Sequence, residues 1–197
     1  MARRFDMAKA GLFVLCLVPL AMLAVRAGLD QLGANPIEAI NRTLGDWALR
    51  FLLISLAITP LRQLGWRGIA RMRRMVGLYA FFYVVAHVTS YVVLDNFFDW
   101  TGIFSDILKR RYITVGMLAL LMLVPLAVTS TDAMIRRLGG QRWRRQHRLV
   151  YPAAMLAVLH FTLMVKADLR EPILYAALLA ILLGWRLVTA FRIRAHA

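Results

Sequence analysis

Residues 75–94 read MVGLYAFFYVVAHVTSYVVL and contain no Asp, Glu, Lys or Arg. A helix rises about 1.5 Å per residue, so a run of this length crosses the roughly 30 Å hydrocarbon core of a bilayer. Within the run, His87 is the one residue whose side chain can carry a charge near neutral pH. Because an ionisable group is costly in hydrocarbon, such a residue is by default a candidate functional residue.

Further apolar runs lie on both sides of this stretch, and short charged segments separate them. They cover residues 11–29, 47–64, 112–130, 149–165 and 172–188. The chain has 197 residues, of which 61% are hydrophobic, and its mean hydropathy is +0.65. The six runs use almost all of this length. We therefore expect an all-α integral membrane protein, with a single domain over residues 1–197 built as a bundle of six transmembrane helices.

Basic residues are concentrated on one side of this expected bundle. The N-terminal segment and residues 62–74, 132–148 and 186–197 hold 17 of the 25 basic residues but only two of the ten acidic ones. The other loops hold 8 basic and 8 acidic residues. The positive-inside rule therefore places both termini in the cytoplasm. A net charge of +15 would suggest nucleic acid in a soluble protein, but here we expect basic loops that orient the chain and contact membrane lipid, with no nucleic-acid partner.

A second intramembrane histidine, His160, lies in the run 149–165. In this topology both helices run from the cytoplasm outward, and His87 and His160 stand about 12 and about 11 residues from the starts of their runs. The two imidazoles should therefore lie within a few ångströms of one another along the membrane normal, in the outer half of the bilayer. Two neutral imidazoles on neighbouring helices can supply both axial ligands of a haem iron.

The run that contains His87 also repeats aromatic residues at helical spacing. Tyr79, Tyr83, His87 and Tyr91 recur every four residues. This spacing predicts a shared face that points into the bundle, where the polar groups can find partners. Tyr79 and Tyr91 lie near the ends of the run, so they are also typical of interfacial anchors.

A third histidine, His147, precedes His160 by thirteen residues and should lie about 20 Å lower, at the cytoplasmic edge. The matching position before His87 is Arg74, which cannot bind iron but can pair with a haem propionate. On an ideal helix, thirteen steps of about 100° leave His147 and His160 some 140° apart, and Pro152 disturbs the register further. Two interpretations stay open for His147: a ligand of an inner haem, or an interfacial histidine among arginines.

The first apolar run has some features of a secretory signal, because basic residues precede it and small residues end it. Arg26 directly after the run argues against cleavage, so we expect a spanning helix. Cys16 is the only cysteine, which excludes a disulfide framework and a zinc cluster built on cysteines. The sequence has no C-x-x-C-H motif, so any haem would be bound non-covalently, as haem b is. His196 is expected to take no part.

Several stretches together resemble the ferric-reductase-like family of six-helix haem membrane proteins. They are ITPLR at 58–62, RRMVGL at 73–78, HVTSY at 87–91, KRRYITVG at 109–116, LAVTS at 126–130 and WRRQHRLVY at 143–151, followed by His160. Within that family the chain is similar to the haem-binding membrane subunits of bacterial periplasmic methionine sulfoxide reductase systems. It departs from the expected pattern at Arg111, where proline is usual, and at Gln146, where an aliphatic residue is usual.

The resemblance implies that His87, His147 and His160 are the haem-associated residues and that the cofactors are haem b and FMN. It also implies a multi-pass protein of the bacterial inner membrane that takes electrons from the quinone pool or from a cytoplasmic flavin reductase. The acceptor would be a periplasmic, molybdopterin-containing catalytic subunit that reduces methionine sulfoxide in proteins. The chain would then be an electron-transfer subunit and not the catalytic subunit. FMN rests on the resemblance alone.

Three other functions compete with electron transfer. A proton-coupled transporter that uses the histidines as a relay needs charged partners within the spans, yet the acidic residues cluster at helix ends and in outer loops. An intramembrane protease needs a motif such as G-x-S-x-G or H-E-x-x-H, and neither occurs. A purely structural anchor would leave two buried histidines without a purpose. An absorption spectrum separates these functions, because only a haem protein gives a Soret band that shifts on reduction.

Overall fold

The computed structural model describes residues 2–165 and 167–195, and this part of the chain consists of nine α-helices without a β-strand. The helices are α1 (Ala2–Gly28), α2 (Pro36–Gln63), α3 (Arg73–Ser90), α4 (Trp100–Lys109), α5 (Arg111–Val128), α6 (Asp132–Leu138), α7 (Gly140–Gln146), α8 (Val150–Met164) and α9 (Arg170–Ala195). A 3₁₀ segment at Arg67–Met72 precedes α3, a π-helical turn at Tyr91–Asp95 follows it, and a 3₁₀ turn at His147–Leu149 leads into α8. The predicted all-α class is confirmed.

In the described part of the chain, five helical segments are long and apolar enough to cross a membrane. They are Met7–Gly28, Pro36–Gln63, Gly68–Asp95, Arg111–Val128 and Arg170–Arg192. The sixth predicted span corresponds to α8, which has 15 residues and is therefore only about 22 Å long. The 3₁₀ turn shortens α8 at its start, and Val165 ends it in an extended conformation. The structure thus supports a membrane protein with five such spans, and the count of six stays a prediction.

Local sequence explains where the helices around the central cavity begin. Asn35 caps α2 by accepting a hydrogen bond from the Glu38 amide at 3.3 Å, and Pro36 occupies the first helical position. Asp99 caps α4 in the same way through the Gly102 amide at 3.0 Å. Both caps lie at the same end of the bundle, on the side predicted to be outside.

Two helix pairs form the centre of the molecule. Helix α2 packs along α3, and α5 packs along α8, while α1 and α9 lie against the outside of these pairs. Small residues such as Ala80, Ala153 and Ala154 are almost completely buried at the contacts, which allows close approach of the helix backbones. Large apolar side chains such as Leu121 and Ile181 are exposed on the exterior. An exterior of this kind matches lipid and not water.

The tyrosines of α3 are used to bind α1. Tyr79 and Tyr83 are both buried, so the interpretation of Tyr79 as an interfacial anchor is wrong. The Tyr83 hydroxyl donates to the Cys16 carbonyl at 2.9 Å and accepts from the Leu20 amide at 3.1 Å. The Cys16 carbonyl and the Leu20 amide are one helical turn apart in α1, next to Pro19. The Tyr83 hydroxyl therefore ties α3 to the backbone of α1 at the turn that contains the proline.

Candidate functional site

His87 on α3 and His160 on α8 face one another across the centre of the bundle. Their ring centroids are 6.3 Å apart, and the ring planes are inclined by 73°. The two residues are far apart in sequence and belong to different helix pairs. The structure therefore brings together the two histidines that depth arguments placed at one level.

Each of these rings is held by a backbone carbonyl of the other helix in its pair. His87 Nδ1 lies 2.9 Å from the Asn41 oxygen on α2, and His160 Nδ1 lies 2.6 Å from the Tyr112 oxygen on α5. A carbonyl can only accept, so Nδ1 carries the proton in both rings and Nε2 keeps its lone pair. Neither Nε2 atom has a hydrogen-bond partner in the described part of the chain. This arrangement is typical of histidines that bind a metal through Nε2.

Two glycines make room for these rings, and the sequence patterns considered above did not predict either of them. A Cβ atom on Gly45 would lie 3.2 Å from His87 Cε1, and one on Gly116 would lie 2.8 Å from His160 Nδ1. Each glycine stands four residues after the residue whose carbonyl holds the ring, on α2 in one pair and on α5 in the other. The signal was available, since glycine inside a helix costs about 1 kcal/mol relative to alanine and needs a reason.

The imidazoles line a cavity of about 450 Å³ between α2, α3, α5 and α8. Its deeper walls are apolar and include Leu49, Leu52, Ala80, Val84, Leu120 and Leu123. Polar residues line the end formed by the start of α2, the turn after α3 and the start of α5, among them Asn35, Glu38, Arg42, Asp95, Arg110 and Tyr112. The cavity therefore suits a flat ligand with an apolar body and a polar edge.

A hydrogen-bonded network closes one side of the polar mouth. Asp106 on α4 accepts from the Tyr91 hydroxyl at 3.1 Å and pairs with Arg110 Nε at 2.9 Å. Arg110 also donates to the Tyr112 hydroxyl at 3.3 Å. Nearby, the side-chain oxygen of Asn41 is buried without a hydrogen-bond partner. An unpaired buried amide oxygen at a cavity wall is a place where a bound ligand or water can contribute a donor.

His147 does not line this cavity and lies in the turn that covers the end of α5. Its ring stacks on Trp143 with centroids 3.9 Å apart, and its Nδ1 lies 3.1 Å from the Trp143 carbonyl. Trp143 donates to the Thr129 carbonyl at 2.9 Å, and Gln146 donates to the Pro125 carbonyl at 3.2 Å. These side chains satisfy the last carbonyls of α5. The Nε2 atom of His147 is buried and has no hydrogen-bond partner.

The buried position of His147 favours a neutral ring. Burial lowers the pKa of His147; the hydrogen bond to the Trp143 backbone opposes this shift and the nearby Arg73 guanidinium adds to it. Arg74, the position on α3 that matches His147, instead forms an exposed ion pair with Asp132 at 2.6 Å. The structure thus gives Arg74 a protein partner. His196 lies outside the described residues.

The protein alone does not supply a full coordination sphere. In the part of the chain that the structure describes, no group of three or more His, Cys, Asp or Glu side chains is placed to bind a metal ion. His87 and His160 offer two nitrogen ligands, so a metal between them needs its other ligands from elsewhere. A porphyrin supplies them in a haem with two axial histidines.

Comparison with known proteins identifies the family. A family model described as "Ferric reductase like transmembrane component" matches residues 44–158. A protein of Rhodospirillum rubrum is 61% identical over 192 residues, which cover 97% of this chain and 92% of the relative. Its name is "Protein-methionine-sulfoxide reductase heme-binding subunit MsrQ". The chain belongs to the MsrQ family. Relatives of the same name from Xanthomonas oryzae pv. oryzae and Xanthomonas campestris pv. campestris are each 54% identical over 186 residues, covering 91% of this chain and 85% of each relative.

These findings confirm the resemblance seen in the motifs. The region matched by the family model includes both glycines, His87 and His147, and it ends two residues before His160. All four helices that enclose the cavity lie at least partly within it. The similarity to the MsrQ relatives extends over nearly the whole chain, so it includes His160 and α8 as well as the short outer helix α4.

Proposed function

We propose that the protein binds haem b between His87 and His160 and passes electrons across the membrane as a subunit of a protein-methionine-sulfoxide reductase system. The observation that carries the proposal is the pair of facing imidazoles with free Nε2 atoms. Metal–nitrogen bonds of about 2 Å on each side account for about 4 Å between the rings. The remainder of the 6.3 Å corresponds to the distances from each ring nitrogen to its ring centre. A centroid separation of 6.3 Å would therefore suit one iron atom held by the Nε2 atoms of both rings.

The cavity also suits the rest of a haem. Its volume of about 450 Å³ lies in the range of roughly 300–1,000 Å³ for small-molecule sites. The apolar walls match the porphyrin, and Arg42 and Arg110 at the mouth can pair with propionate carboxylates. Bound haem supplies one-electron redox chemistry. The chain orients both histidines through the carbonyls of Asn41 and Tyr112.

His147 has a secondary place in this proposal. Its neutral ring and buried, unpaired Nε2 suit a ligand or a contact for an inner haem near the cytoplasmic surface. The matching residue on α3 is an arginine paired with Asp132, so His147 lacks an opposing histidine. We therefore assign His147 to the inner end of the electron path and His87 with His160 to the outer end.

The remaining parts of the proposal concern topology and partners. Six transmembrane helices form a single domain, with α8 as the short fifth span. Both termini lie in the cytoplasm, and the membrane is the inner membrane of a bacterium. Electrons enter from the quinone pool or from a cytoplasmic flavin reductase. FMN takes part in this entry of electrons; only the family resemblance supports this cofactor. The electrons leave to a periplasmic, molybdopterin-containing catalytic subunit. The word "subunit" in the relatives' names supports a partner of this kind.

An absorption spectrum of the purified protein and its variants tests the haem site. His87→Ala and His160→Ala should each abolish the low-spin Soret and α bands while the protein still inserts, because one imidazole is a small part of the apolar surface that drives insertion. Tyr79→Phe is the matched control, since its hydroxyl bonds the Phe13 carbonyl away from the cavity. Full haem retention in both histidine variants would refute the pairing.

A further inference from the structure

Helix α4 has an apolar side on which one residue is buried against the protein and the others are exposed. Ile103 is buried with 6% of its surface exposed, whereas Trp100, Phe104 and Leu108 are exposed by 57%, 64% and 85%. At about 100° per residue these side chains follow one another around roughly 140° of the helix, in the order Ile103, Trp100, Phe104, Leu108. Ser105 and Lys109 lie on the polar side of the helix, and Thr101 lies between this side and Leu108. An amphipathic helix with this much uncovered apolar surface needs a partner.

The turn that leads into α4 exposes two more aromatic rings. Phe97 and Phe98 have φ values of 48° and 62° and are exposed by 76% and 55%. Bulky residues rarely adopt this left-handed conformation because the side chain meets the backbone. Backbone hydrogen bonds hold the turn, among them the Phe98 amide to the Val92 carbonyl at 3.0 Å. A strained turn that also presents apolar rings to water would be unfavourable on both counts.

The place of α4 in the chain identifies the environment of this surface. The span that includes α3 ends at Asp95, only a short turn before α4, and Arg110 alone separates α4 from the span of α5. The helix therefore stands where two spans leave the hydrocarbon core. Aromatic residues are enriched at this level of a membrane, and amphipathic helices lie there with the apolar face in the acyl boundary and the polar face in water.

We propose that α4 is an interfacial helix whose aromatic ridge inserts into the lipid of the outer leaflet. The aromatic ridge consists of Phe97, Phe98, Trp100, Phe104 and Leu108. It adjoins spans whose own exteriors are apolar and exposed, for example at Phe82 on α3 and Leu121 on α5, so the lipid that covers those spans continues directly onto the ridge. The polar side with Lys109 stays in water.

Lipid on this ridge also bears on the cavity. Asp106 lies on α4 away from the ridge and holds both Tyr91 and Arg110. Both of those residues line the cavity mouth. An α4 helix seated in lipid therefore fixes one wall of the mouth, so that lipid acts as a structural component of the outer end of the proposed electron path.

Site-directed spin labelling tests the position of the ridge. The only cysteine, Cys16, is buried, so a Cys16→Ala background allows single labels at Phe104→Cys and Leu108→Cys, with Lys109→Cys on the exposed polar side as the matched control. The labelled full-length chains are reconstituted in vesicles of phosphatidylethanolamine and phosphatidylglycerol. Power saturation then compares collisions with oxygen, which concentrates in lipid, and with a water-soluble nickel chelate. We expect the ratio of oxygen to nickel accessibility to be several-fold higher at positions 104 and 108 than at position 109.

Equal nickel accessibility at all three positions would overturn the proposal. So would labels at 104 and 108 that lose nickel accessibility only when a purified methionine sulfoxide reductase catalytic subunit is added, because the ridge would then be a protein docking surface. Two ridge labels are used so that one poorly inserting variant does not decide the result. The measurement needs no haem, so its failure is distinguishable from failure of the proposed function, which the absorption spectrum tests.

Discussion

Replacing Gly116 by alanine should weaken haem binding through His160, although the substitution adds a single methyl group. The new Cβ would lie 2.8 Å from His160 Nδ1 and 3.0 Å from Cε1, and the first of these distances is shorter than the non-bonded contacts that Cβ atoms make in proteins. The ring must therefore move, and it is held by a hydrogen bond of 2.6 Å to the Tyr112 carbonyl. Movement of the ring displaces Nε2 from the position in which it faces His87.

Two opposing terms decide the magnitude. Alanine gains about 1 kcal/mol over glycine in a helix interior, while one extra methyl group in a packed core costs typically about 1–3 kcal/mol. Loss of the Nδ1 hydrogen bond adds about 1 kcal/mol. The balance is unfavourable by about 1–3 kcal/mol, and at about 1.4 kcal/mol per factor of ten it corresponds to a loss of haem affinity of about fivefold to a hundredfold. At Gly45 the added Cβ would be 3.2 Å from the His87 ring, so Gly45→Ala should have a smaller effect.

The assay compares haem content per protein with thermal stability. Haem is quantified by the pyridine haemochrome method after purification, and the axial ligands are followed by the low-spin electron paramagnetic resonance signal. Gly184→Ala is the control, because a Cβ at this position in α9 would have no neighbour within 4 Å; it should keep its haem and unfold at an equal or higher temperature. If Gly116→Ala behaved like Gly184→Ala, the reasoning that glycine makes room for the axial ring would be refuted.

Further predictions address the inner end, the packing of α1 and the direction of transfer. His147→Ala should lose part of the haem signal or slow electron entry; a variant as free of haem as His87→Ala would reverse the ranking of the histidines. Tyr83→Phe should lower thermal stability by about 1–3 kcal/mol, because it leaves the Cys16 carbonyl and the Leu20 amide without the bridging hydroxyl, with the haem spectrum unchanged; equal stability would contradict this role. In sealed vesicles of known orientation, a periplasmic acceptor should be reduced only at the face opposite the chain termini, and reduction at the face that bears the termini would overturn the topology.

Much of the fold followed from chain length and composition. Helix rise per residue is nearly constant, so the start of an apolar run sets the depth of every residue in it, and the sequence alone assigns His87 and His160 to one level. Each of the five long spans overlaps a predicted run, but the second begins at Pro36 and the third at Gly68, well before the predicted starts at 47 and 75. The sixth run, 149–165, is helical too: α8 covers Val150–Met164, but its 15 residues make it shorter than the five long spans.

The rotation of each helix and the identity of its neighbours were not predictable in the same way. The four-residue repeat on α3 suggested one shared face, yet Tyr83 faces α1 while His87 and Tyr91 face the cavity. Likewise, α4 falls in a loop between two apolar runs, where ten residues are too few to register as a span. For both α3 and α4, the sequence does not show which neighbouring helix, if any, each side of the helix contacts.

The sequence by itself determined the membrane class, the approximate position of most spans and the membership of a haem-associated family, and it predicted a common level for His87 and His160, because hydropathy and helix rise are local properties. Only the tertiary structure decided that α2 packs with α3 and α5 with α8, and that Gly45 and Gly116 lie against the two imidazoles. The physical reason is that lipid and protein interior are both apolar. The side of a membrane helix that faces its neighbour therefore looks in composition much like the side that faces lipid, and the choice is made by the fit of side chains between helices.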